Sequence, residues 1–183
     1  MLLEDRVAIM ADPAFRAKLL GEAAEHHIES QVERVQFFDY MFPLGDPPNY
    51  APGRERSVAG MAEAQGRTPF EVAYDLLVED DGHNMLFAPA TGLAGYSLDG
   101  IQELMEHPQT VVALSDGGAH VAHIVDVSFS TYLLTYWGRD RPSGALDVSW
   151  LVKKMTGDAA AIVGLDDRGV IAPGLKADIN VID

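Results

Sequence analysis

The chain has 183 residues, 48% hydrophobic and 22% charged, with a formal net charge of −15 and no cysteine. This is ordinary globular material, long enough for one domain with a sizeable core. The charge argues against nucleic acid and anionic membranes as partners, the lack of cysteine removes disulfides and thiolate metal sites, and no apolar run approaches the roughly 20 residues of a membrane span.

The opening "MLLEDRVAIMADPAF" carries acids early and has no basic region ahead of an apolar stretch, so no signal peptide is read and a cytoplasmic location is expected. "ADPAFRAKLLGEAAEH" predicts a helix with Asp12 as N-cap and Pro13 in the first turn. His26 and His27 are adjacent, so a helix points them in different directions, and they read as a solvated helix end. "QVERVQFFDY" predicts a strand, and the Pro- and Gly-rich "MFPLGDPPNYAPGRE" predicts a loop. Two helices follow. "SVAGMAEAQG" runs from Ser57 to a stop at Gly66, and "TPFEVAYDLLVED" carries a capping box of Thr68 and Glu71 with Pro69 between them. Asp75, Glu79, Asp80 and Asp81 read as a solvated acidic face.

"NMLFAPA" predicts a short buried strand, and "GLAGYSLDG" is glycine-rich without matching either phosphate-loop pattern. "SLDGIQELMEH" predicts a capped helix that Pro108 ends, and "TVVALSD" predicts a strand of the kind buried on both faces of a parallel sheet. Beyond it, "VDVSFSTYLLTYWG" predicts a helix with Phe129, Tyr132, Leu133 and Tyr136 on its packed side, and Trp137 and Trp150 read as packing residues. "LDVSWLVKKMTGDAAAIVG" predicts one or two helices, and "RGVIAPGLKADINVID" two short strands about a Pro-Gly-Leu-Lys turn. The alternation of elements predicts an α/β fold.

The chemistry-bearing stretch is "VVALSDGGAHVAH", Val111 to His123. Parallel α/β folds place functional groups where strands end, and Asp116 stands there with Gly117 and Gly118 leaving its carboxylate uncovered. From the stretch alone two readings stay open. Asp116 is a metal-binding or proton-accepting carboxylate, or it caps the next helix with help from Ser115. His120 and His123 are three residues apart, a spacing that suits a metal pair on a helix but that loop or core histidines share.

Three stretches together resemble the D-aminoacylase branch of the amidohydrolase superfamily, whose members include N-acyl-D-amino-acid deacylases. They are "NYAPGRERSVAGMAEAQGRTPFEVAYDLLVED", "LMEHPQTVVALSDGGAH" and "LVKKMTGDAAAIVGLDDRGVIAPGLKADINVID", and the resemblance spans residues 30–183. It implies a metal-dependent (β/α)8 barrel flanked by a small β-sandwich, hydrolysing non-peptide C–N amide bonds such as those of N-acyl-D-amino acids with a zinc-activated water. By the same resemblance Asp116 ends the eighth barrel strand, orients the metal-bound water, takes its proton and passes it to the leaving amine, and it is a candidate metal ligand. His120 and His123 are taken as candidate substrate-binding residues.

The family's His-x-His pair has no counterpart here, its other metal ligands fall upstream of the matched stretches, and a full barrel takes about 250 residues. The expectation is therefore a C-terminal portion, with residues 1–164 in the barrel and its helical segment and 165–183 in the sandwich. Such a chain is expected to be inactive alone, and to act as an oligomer or with a complementing chain on a small-molecule amide. The rival expectation is a catalytically silent assembly or folding partner. Known D-aminoacylases carry an arginine soon after the strand-eight aspartate to grip the substrate carboxylate; here Gly117 to Gly138 contains neither Lys nor Arg.

Overall fold

The structure is a computed structural model that describes residues 2–25, 37–89, 91–112 and 126–182. It divides into two compact units, Met1–Gln102 and Glu103–Asp183.

The first unit opens with α1 (Leu3–Met10), which the sequence reading did not anticipate, and α2 (Pro13–Glu25). Asp12 caps α2 as expected, its carboxylate accepting from the amides of Ala14 at 2.6 Å and Phe15 at 3.2 Å. The centre of this unit is the pair α3 (Val58–Gln65) and α4 (Pro69–Val78). Ser57 is fully buried; its hydroxyl accepts from the Gly60 amide at 3.0 Å and donates to the Arg54 carbonyl at 2.7 Å. Gly66 ends α3 in the left-handed conformation that glycine adopts without a steric cost. The capping box on α4 forms as the sequence implied, with Thr68 and Glu71 satisfying each other's backbone amides. Met41, Val58, Ala62, Val72 and Leu76 make the core, with Phe38, Met61, Ala73 and Leu86 packed against it.

Two strand expectations change here. Phe38–Tyr40 is a 3-10 turn, not strand, and residues 31–36 of the expected strand lie outside the described residues. The turn lets Phe38 meet the Phe70 ring edge-on at 4.9 Å while the Met41 carbonyl accepts from Val58 at 2.7 Å, contacts that a straight strand does not make together. The loop expected to follow contains β1 (Phe42–Pro43), paired antiparallel with β2 (Leu86–Phe87), which falls inside the strand expected from "NMLFAPA". This two-residue ladder is the sheet among the described residues, and it is antiparallel. The parallel strands of the expected α/β alternation are not formed among them: Thr110–Val112 is not in a strand, and the rest of that stretch lies outside the described residues. The described chain is helix-rich, because a parallel strand needs neighbours for its backbone groups while a helix satisfies its own.

Helix α5 (Asp99–Glu106) follows, its first amide bonded to the Ser97 hydroxyl at 3.1 Å. The second unit then contains α6 (Phe129–Tyr132), continuing as a π-helix over Leu133–Asp140, and α7 (Val148–Lys153), continuing as a π-helix over Lys154–Asp158 into α8 (Ala159–Ile162). The expected helices form, but both widen mid-course. Each wide stretch contains a threonine whose hydroxyl donates to the carbonyl four residues back, Thr135 to Thr131 at 2.9 Å and Thr156 to Val152 at 2.7 Å, a bond that loosens the α-helical ladder. Leu133, Tyr136 and Trp137 are buried, as the packed-side reading implied, with Phe129, Tyr132 and Trp150 half-buried; Leu151 and Ala160 are buried as well.

The closing residues 165–182 contain the expected turn but no strand. The Leu175 amide bonds the Ala172 carbonyl across Pro173 and Gly174, the latter at φ 89°. The flanks form no strand, although the Lys176 amide bonds the Asp167 carbonyl at 2.8 Å and Arg168 pairs with Asp178 across the turn; Ile171 is 86% and Val181 97% accessible. A two-stranded hairpin is marginal without a third strand or a packed face.

Candidate functional site

Asp116, His120 and His123 all lie in residues 113–125, outside the described residues, as do His26 and His27. The structure does define the two ends between which the candidate stretch runs. On the near side, α5 closes in the turn His107–Thr110. The Thr110 amide bonds the His107 carbonyl at 3.2 Å, and its hydroxyl donates to the carbonyls of Leu104 and of His107. This turn is what "EHPQT" encodes: Pro108 cannot continue a helix, and a threonine two residues on satisfies the carbonyls left over. On the far side, Asp126–Ser128 forms a 3-10 turn leading into α6.

The first basic residues after the candidate aspartate are Arg139 and Arg141. Arg139 is committed to its neighbour: Nε and Nη2 donate to the two Asp140 oxygens at 2.6 and 2.9 Å. That carboxylate raises the Arg139 pKa, and the Arg139 guanidinium holds the Asp140 carboxyl below its usual range. Arg141 lies over the Trp137 ring, 4.5 Å from its centroid. Sequence reasoning did not single out Lys154, which is only 8% exposed with its ammonium 5.1 Å from the Trp150 ring centroid. The Trp-x-x-x-Lys spacing, one helical turn, is the signal that could have found it.

In the first unit, Asp75 departs from the solvated face expected of it. Arg16 of α2 donates from Nε at 3.1 Å and Nη2 at 3.3 Å, and Arg67 donates to the same carboxylate, so Asp75 ties α2 and the start of α4 together. Glu79, Asp80 and Asp81 are exposed, as expected. Among the described residues no group of three or more His, Asp or Glu is placed to hold a metal ion, so they do not fit the zinc that the resemblance implies.

The closing motif has a steric logic. A Cβ on Gly169 would lie 2.9 Å from the Thr156 carbonyl oxygen and 3.0 Å from both the Ala160 methyl and the Gly157 Cα. The Met-Thr-Gly of the π-turn and the Arg-Gly that follows therefore belong together: one glycine makes room for the other's backbone. Ser57 with Gly60 works the same way in the first unit, where a Cβ on Gly60 would meet the Arg54 carbonyl at 2.3 Å. The motifs "SVAG" and "MTGDAA…RG" are thus packing motifs, laid across the chain in a fixed order.

A family model described as "Amidohydrolase family" matches residues 4–183. The chain belongs to the amidohydrolase family. Within it, the chain is 32% identical over 126 residues to an N-acyl-D-aspartate deacylase of Alcaligenes xylosoxydans xylosoxydans, covering 68% of this chain and 25% of that protein. It is 27% identical over 131 residues to uncharacterized proteins of Mycobacterium bovis and Mycobacterium tuberculosis, covering 70% of this chain and 21% of theirs. The chain thus spans about a quarter of the length of the curated relatives it matches. No solved structure matches it. The D-aminoacylase resemblance is upheld by the family match and the deacylase relative together.

Proposed function

We propose that this chain is the C-terminal portion of a hydrolase that cleaves the C–N amide bond of N-acyl amino acids, N-acyl-D-amino acids first among them. The observation that carries the reading is the family match along residues 4–183, reinforced by the deacylase relative. It favours a hydrolase over an assembly-only role. In this reading residues 1–164 belong to a (β/α)8 barrel with its helical segment, residues 165–183 belong to a β-sandwich, and the protein works in the cytoplasm. No helix among the described residues is long and apolar enough to cross a membrane.

Asp116 is proposed as the group that takes a proton from the attacking water and returns it to the leaving nitrogen, yielding a carboxylate and a free amine. The Gly117–Gly118 pair supports this, because it leaves the carboxylate without bulky neighbours in the chain. His120 and His123 are proposed to face the substrate. Zinc remains the cofactor of the family reading, and no step is assigned to it, because the described residues supply no set of ligands.

The test is Asp116→Asn in the whole protein, assayed on an N-acyl-D-amino acid. Asparagine keeps the shape but does not accept the proton, so turnover is expected to fall by about 10²- to 10⁴-fold with the circular dichroism spectrum unchanged. Turnover near that of the parent would overturn the assignment and leave Asp116 a helix cap. The 183-residue chain by itself is expected to show no hydrolysis of the same substrate; measurable turnover by it would overturn the portion reading.

A further inference from the structure

We draw no further inference here: the strongest candidate, the exposed apolar run of Val170, Ile171, Ile179, Val181 and Ile182 in the closing segment, belongs to the sandwich strands already proposed, and nothing in the described structure shows what covers it.

Discussion

Gly169, at φ 85°, sits where both its backbone conformation and its neighbours refuse a side chain. Gly169→Ala is therefore expected to destabilise the second unit by about 1–3 kcal/mol, the range for a strained backbone or an overpacked contact. In a chain of this size that lowers Tm by about 2–4 °C per kcal/mol, which differential scanning calorimetry reads directly. An unchanged Tm would mean that the π-turn gives way freely. Gly66→Ala provides the contrast: φ is also positive at 63°, but nothing lies within 4 Å, so only the backbone term is lost. Leu151 tests the complementary case of a filled position. It is fully buried, and Leu151→Ala is expected to cost about 2–5 kcal/mol through the cavity it leaves, measured by urea unfolding.

At the scale of elements, the α4 capping box couples helix stability to pH. Two hydrogen bonds from Thr68, its backbone amide and its hydroxyl, both at 2.8 Å, hold the Glu71 carboxyl below its ordinary value. A depressed folded-state pKa means that the box contributes fully above the unfolded value of about 4.3 and loses its contribution as pH falls through the lowered folded value. Glu71→Gln keeps an acceptor without the titration. The acid limb of a far-ultraviolet circular dichroism titration is therefore expected to flatten in the variant, and superimposable limbs would remove Glu71 from the linkage. Thr68→Ala, which deletes the cap itself, is expected to cost about 0.5–2 kcal/mol at neutral pH. The Arg16–Asp75–Arg67 cluster is a weaker tie: its side chains are about one-third exposed, where solvent screening limits an ion pair to about 0.2–1 kcal/mol.

At the scale of the whole molecule, the open question is how a substrate would be held. No Lys or Arg lies between Gly117 and Gly138, and Arg139 pairs with Asp140 on an exposed face. On the proposed reading, the whole protein is expected not to prefer an N-acyl-D-amino acid over its carboxamide by the roughly 10²-fold that a charge-assisted hydrogen bond of about 3 kcal/mol provides. Parallel kcat/KM measurements on the two substrates check this, and a preference of that size for the free acid would show that another cation takes the grip. The exposed apolar residues of the closing segment carry a second expectation: the 183-residue chain alone self-associates or binds a hydrophobic dye. A compact monomer by light scattering, with no dye uptake, would count against it.

Much of this was legible in the residues themselves. The caps at Asp12, Ser57, Thr68 and Ser97, the stop at Gly66 and the Pro-Gly turn all rest on contacts a few residues apart, so local sequence determines them. The proposed site was legible only as a motif: Asp116 is picked out by its place before two glycines and by family resemblance. Tertiary structure decided what depends on partners far along the chain. Phe38–Tyr40 turns instead of extending because Phe70 and Val58 stand where they do, and Asp75 is tied rather than solvated because Arg16, fifty-nine residues away, reaches it. The Val170–Ile171 and Ile179–Ile182 segments carry strand-forming side chains yet form no strand among the described residues. A helix closes its hydrogen bonds within itself, whereas a strand exists only when another strand meets it, and composition alone does not bring that neighbour.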